Sequence, residues 1–198
     1  MKQKTDLRVI KTKKAIHNAF IHLLGTKGLT AMTVQDILDE ALINRKTFYT
    51  YYHDKYDLAE QIASEFLKRF DELLSRRFSD SPCTSPAAFP IGELYAALYQ
   101  DKKELSAIWS IQTDHINVFS EISERLQKVY RHLAARYETP GDVMLQSYMF
   151  SAFVLTSYRH IMETEQTYET HQLLKEYQNI YDVIEKAAQQ DAARAQDA

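Results

Sequence analysis

The sequence predicts an all-α fold, and three observations carry that reading. Helix breakers are scarce, with four Gly and four Pro among 198 residues, so little interrupts a helix once it has started. Apolar residues recur three and four apart along most of the chain, and no convincing segment alternates with the period of two that a half-buried strand requires. Three of the four prolines crowd into SDSPCTSPAAFP, residues 79–90, which reads as a loop or linker between two helical stretches.

At 45% hydrophobic the composition is ordinary for a globular protein, and the length allows a sizeable core in one large or two small domains. The net charge of −3 conceals an asymmetry: residues 1–55 carry ten Lys/Arg against five Asp/Glu, and residues 56–198 carry fourteen against twenty-two. A basic head on an acidic body suits a protein that meets a polyanion with one end. The single Cys83 excludes an intramolecular disulfide. In its Pro-rich loop, with no Lys, Arg or His nearby, it reads as incidental rather than as a thiol sensor. The basic N-terminus has no apolar stretch behind it and so is no secretory signal. No run approaches the ~20 apolar residues of a membrane span, and a soluble, cytoplasmic protein is expected.

Residues 1–11, with Lys2, Lys4, Arg8 and Lys11, read as a mobile basic arm that either lies along phosphates or only solubilises. Thr12 to Lys27 reads as the first helix, with Ile16, Phe20, Leu23 and Leu24 on one face and Gly28 as an αL stop. Thr33 is an N-cap for the next helix, and Asp36 three residues on completes a capping-box variant. Val34, Ile37, Leu38 and Ala41 make that helix's apolar face, Leu42 and Ile43 make a turn, and Asn44 caps a helix from Arg45 to Tyr51 or Tyr52. Phe48 and Tyr52, four apart, pack inward; Arg45, Lys46, Thr47, Tyr49 and Tyr51 are left facing out. This is the order of parts in a helix-turn-helix. Arg and Lys read guanine edges, Thr meets a thymine methyl, and Tyr hydroxyls donate to phosphate. Asp54 caps a further helix whose first residue is Lys55, a cation poorly placed for that helix's own dipole and so suited to an external anion.

Thr33-Val34, Asp36-Ile37, Ala41, Thr47-Phe48-Tyr49, Tyr52, Lys55 and Leu58, with the preceding helix ending at Lys27-Gly28, resemble the N-terminal domain of TetR/AcrR-type transcriptional regulators over about the first sixty residues. The resemblance implies an all-α homodimer that binds a double-stranded DNA operator, most often as a repressor, and takes an unknown small-molecule effector in a divergent C-terminal domain. By position Thr33, Arg45, Lys46, Thr47, Tyr49, Tyr51 and Lys55 fall where the family contacts DNA. Two positions depart. Leu42 stands where Gly is usual and would strain the turn unless its backbone is αR. Tyr51 stands where His is usual and keeps a hydroxyl donor without imidazole's charge.

One long helix is predicted from Asp54 to about Phe78, with Leu58, Ile62, Phe66, Leu73 and Leu74 near helical spacing; it either links head to body mechanically or is plain scaffold. After the loop, Ile91 to Gln100 and Lys102 to Thr113 read as two short helices, and His115 to Tyr137 as a third ended by Thr139-Pro140-Gly141. Asp142 or its neighbour caps Val143 to about Glu163, the most apolar helix. A last helix runs from about Thr170 to Gln189 before a polar, frayed tail. The C-terminal arrangement faintly resembles TetR-like proteins related to dihydroxyacetone-kinase regulators. The organisation expected is therefore a basic arm and helix-turn-helix domain over 1–54, a connecting helix over 55–78, the loop over 79–90, and an effector-binding and dimerisation domain over 91–198.

No catalytic grouping is present: there is no Gly-rich phosphate loop, nucleophile elbow, HExxH or CxxC. The seven His are scattered, and His17 and His22 are five apart, wrong for sharing a helical face as ligands. An enzyme is not expected, nor a metal or cofactor. Aromatic residues reach 12%; they either pack a core or line an apolar pocket with a few hydroxyls. Trp109, His115, Tyr148 and His160 are the candidate effector-pocket walls, and Phe150 and Phe153 the candidate dimer contacts. The rival function is an activator or coactivator of the same fold, controlled by a partner protein.

Overall fold

The computed structural model describes residues 7–78, 91–99, 102–164, 166 and 168–196. Among these there are nine helices and no strand: α1 (Leu7–Ala31), α2 (Val34–Ala41), α3 (Arg45–Tyr49), α4 (Lys55–Arg77), α5 (Ile91–Tyr99), α6 (Lys102–Ile108), α7 (Val118–Arg136), α8 (Val143–Thr164) and α9 (Thr170–Gln196). The expected loop over 79–90, Cys83 included, lies outside the described residues.

Local chemistry explains the helix ends. Thr33 accepts from the Asp36 amide at 3.1 Å while the Asp36 carboxylate accepts from the Thr33 amide at 2.8 Å, a complete capping box. Asp54 accepts from the amides of Tyr56 and Asp57, both at 2.8 Å. Asp142 does the same for Met144 and Leu145 at 2.9 and 3.0 Å. α1 is broken at Gly28, whose φ of 74° and ψ of 161° differ from the αL stop expected of it. That extended left-handed geometry is essentially confined to glycine.

Several boundaries differ from the sequence reading. α1 begins at Leu7, so the last five residues of the expected arm are helical. α6 stops at Ile108 rather than Thr113; Ser110 and Ile111 donate to the carbonyls of Ala107 and Ile108 in tighter turns, and further on Thr113 Oγ1 accepts from the amides of His115 and Ile116. α7 therefore starts later than His115, at Val118, with Asn117 as its cap. α7 ends at Arg136, with Tyr137 and Glu138, the latter at φ 48°, between it and the Thr139-Pro140-Gly141 stretch. α9 continues through the expected tail to Gln196.

A core runs through the molecule with α4 as its shared wall. Near α4's start, Leu58, Ala59 and Ile62 are buried with Ile16, Phe20, Ile37 and Phe48 of the N-terminal helices; further along, Phe66, Phe70 and Leu74 are buried with Leu94, Leu105, Ile122, Leu126 and Tyr158 of the body. α7 and α8 are the most closely packed pair, and α1 meets the body mainly through α6. Small residues let α7 and α8 approach: Ser147 and Ser151 are buried, and Gln127 Nε2 donates to Ser123 Oγ at 3.2 Å along the same seam.

Candidate DNA interface

The helix-turn-helix is α2, a tight turn and α3. The turn closes through two hydrogen bonds, Leu42 N–H to Asp39 O at 3.4 Å and Ile43 N–H to Leu38 O at 3.1 Å, the pattern of a Schellman motif. Its αL position is Leu42, at φ 52° and ψ 45°. The αR backbone that would have spared this leucine is thus not adopted, and its side chain is 90% exposed.

α3 is a single turn of five residues held at its start by Asn44, whose Oδ1 accepts from the Thr47 amide at 2.8 Å and hydroxyl at 2.9 Å. Phe48 is fully buried beneath it, and the Tyr52 ring stands 5.5 Å from it. Arg45, Lys46 and Tyr49 are exposed, with the Arg45 guanidinium 5.6 Å from the Tyr49 ring centre. Rings and cations on one short, anchored turn form a surface suited to phosphates and base edges.

Four of the predicted DNA residues are placed less freely than the sequence suggested. Thr47 is half-buried and its hydroxyl proton goes to Asn44. The Thr33 amide and hydroxyl both donate to Asp36 at 2.8 Å. The Tyr51 ring, expected outward, is half-buried against the core with Lys13 Nζ 5.6 Å from its centre. Lys55 Nζ donates to the carbonyls of Leu29, Thr30 and Met32 at 2.9, 2.9 and 2.6 Å. Three donors meet three acceptors, so the cation is balanced by the carbonyl end of α1, not by the external anion its position suggested. Asp36 is held down to about 2, chiefly by the hydrogen bond from Lys27 at 2.6 Å and then by those from Thr33, which keeps the capping box ionised.

The four candidate pocket walls are not brought together. Trp109 faces the interior, stacked on Tyr158 at 5.8 Å with planes 3° apart. Tyr148 is 57% exposed, and His115 and His160 are also exposed. The phase of α8 explains this: Ser147, Ser151, Val154, Leu155, Tyr158 and Ile161 form its buried stripe, and positions 148 and 160 fall outside it. The cavity beside Trp109, Tyr95 and Tyr158 amounts to about 10 Å³, room for about one water. Phe150 and Phe153 are half-buried within the protomer, on Tyr130 and Tyr177 at 5.3 Å each. The large apolar side chains that α8 and α9 leave exposed among the described residues are instead Met144, Leu145, Tyr148, Met149, Tyr177, Ile180, Tyr181 and Val183. A second apolar stripe at 144, 145, 148 and 149 was the sequence signal for those of α8.

A capped supporting helix, a Schellman turn and an anchored, cation-bearing third helix define a helix-turn-helix protein. Residues 16–62 match the family model for bacterial regulatory proteins of the tetR family, so the similarity to that family lies in this N-terminal domain. It is also 22% identical over 187 residues to an uncharacterised HTH-type transcriptional regulator, YxbF, of Bacillus subtilis, covering 90% of this chain and 46% of that protein. The chain thus spans about half the length of that relative. Its fold is that of NalD, the secondary repressor of the MexAB-OprM multidrug efflux pump in Pseudomonas aeruginosa, at a TM-score of 0.65 and 19% identity over 84% of this chain and 93% of the other. It is likewise that of the transcriptional regulator FadR from Bacillus subtilis in complex with stearoyl-CoA, at 0.61 and 15% identity over 82% and 95%. No helix among the described residues is long and apolar enough to cross a membrane.

Proposed function

We propose that the chain is a cytoplasmic, one-component transcription regulator, a homodimer that holds two α3 helices in successive major grooves of a pseudo-palindromic operator. The observation that carries this reading is the exposed Arg45–Lys46–Tyr49 surface on a helix anchored by the fully buried Phe48. The family match at residues 16–62 supports it. Arg45 and Lys46 begin α3 and read base edges; Tyr49 lies against phosphate, with a lesser part for Thr47, Tyr51 and Thr33. The domain division follows the same logic, with residues 1–54 reading DNA, α4 connecting, and residues 91–198 pairing protomers and sensing. Repression relieved by a small-molecule effector is the mode we favour, since NalD is named a repressor and the FadR structure holds stearoyl-CoA.

Selection from random duplex DNA tests the reading. The protein is expected to enrich an inverted repeat with half-site centres ~34–36 Å apart. Arg45→Ala and Lys46→Ala are each expected to lose about 1–3 kcal/mol on the selected site and to relax base preference. Enrichment of no sequence, with equal binding by both variants in titrations at two salt concentrations, overturns it.

A further inference from the structure

The interior of the body is filled with rings and offers about 10 Å³, yet a cleft of about 850 Å³ lies open between α1 and α6, reaching Met162 of α8. That volume is in the range of small-molecule sites. The cleft has two chemistries. Ile21, Gly25, Ala107 and Met162 give it apolar or bare surface, while the α6 side carries Lys103 and Lys102, whose ammonium also donates to the Tyr99 hydroxyl at 3.2 Å and lies 4.8 Å from that ring's centre. The carboxylate among its lining residues, Glu104, is already engaged by Arg69 at 2.9 Å and faces His17 at 3.5 Å. Gly25 is the second pointer. It stands three residues before the break at Gly28, and a Cβ added there would meet no atom within 4 Å, so packing within the chain does not require its absence. What the glycine leaves is bare backbone open to whatever enters the cleft.

We infer that this cleft binds an amphipathic organic anion, its apolar part on Ile21, Gly25, Ala107 and Met162 and its carboxylate at Lys102 and Lys103. The walls belong to different parts of the molecule: α1 packs on α2 of the helix-turn-helix, and α6 belongs to the body. An occupant therefore senses the angle between them and binds one arrangement more tightly than another, which is what coupling to DNA requires. That consequence rests on the regulator reading above; the binding itself does not.

The test is calorimetry on the full chain with sodium dodecanoate below its micelle concentration, with dodecyltrimethylammonium as the opposite-charge control. Saturable binding of the carboxylate and none of the cation is expected. Gly25→Phe, which fills the cleft, and the double variant Lys102→Glu/Lys103→Glu should each weaken it at least tenfold with unchanged helical circular dichroism. No saturable binding by the parent, equal binding of the cation, or parent-like affinity in both variants overturns the inference. Should one variant misfold, the other decides. The two readings fail separately. A parent that binds dodecanoate but selects no DNA sinks the regulator and leaves the cleft, whereas one that selects DNA but takes no dodecanoate does the reverse.

Discussion

Leu42 and Lys55 show how single residues settle the geometry of the N-terminal domain. A β-carbon in the αL region costs roughly 1–2 kcal/mol, and Leu42 accepts that at φ 52° while burying almost nothing. Leu42→Gly should raise stability by about 1 kcal/mol in urea unfolding; a lower midpoint would mean that the exposed side chain has a partner worth more than the strain. Lys55 is the opposite case, with an ammonium that satisfies three carbonyls across the break at the end of α1. Lys55→Met keeps the stem and removes the donors, and is expected to cost about 1–3 kcal/mol of stability. The salt dependence of DNA binding should stay unchanged, because the cation is held by the protein and not by phosphate. A shallower salt slope at parental stability would return Lys55 to the DNA surface.

Elements here depend on their ends more than on their lengths. One turn of helix has no stability of its own in water, so α3 persists through the Asn44 cap and the buried Phe48. Asn44→Ala should cost about 1 kcal/mol, and DNA affinity should fall with it through loss of the cap. Asn44→Asp keeps the acceptor and should restore both. Unaltered DNA titration by the alanine variant would show that α3 is held by packing alone. The break in α1 has a similar dependence on one residue. At φ 74° and ψ 161° only glycine is comfortable, and Gly28→Ala is expected to cost about 1–3 kcal/mol in thermal unfolding.

At the scale of the molecule, two features decide how parts are held. The exposed side chains of α8 and α9 support pairing of copies about a two-fold axis. Ile180→Asp and Tyr181→Asp should then yield folded monomers in sedimentation, whereas Phe150→Asp, half-buried within the protomer, should lose helix content. Folded monomer from the parent at micromolar concentration would remove the dimer. The other feature is Glu104, which joins α6 to Arg69 of α4 and faces His17 of α1. Its carboxyl is lowered from 4.5 to about 2, first by the His17 hydrogen bond and also by Arg69, against the opposing effect of burial. A depressed carboxylate contributes stability above its unfolded value and loses it on acidification. The stability gap between the parent and Glu104→Gln should therefore close as the pH falls from 4.5 toward about 2. A gap indifferent to acid would show that the contact adds nothing.

What the sequence determined by itself was everything set within a few residues of itself. The Thr33–Asp36 box, the caps at Asn44, Asp54 and Asp142, the buried Phe48 and Tyr52, and the long α4 are legible because caps and helical faces depend on neighbours three or four positions away. The family domain was legible for the same reason, as its motif is local. Tertiary structure decided what distance in sequence hides. The carbonyls that claim Lys55 lie 23 to 26 positions before it. The rings beside Trp109 come from another helix and leave no room for an effector. Which stripe of α8 is buried depended on α7, since an apolar helix with two candidate faces has no inner side until a neighbour packs against one of them.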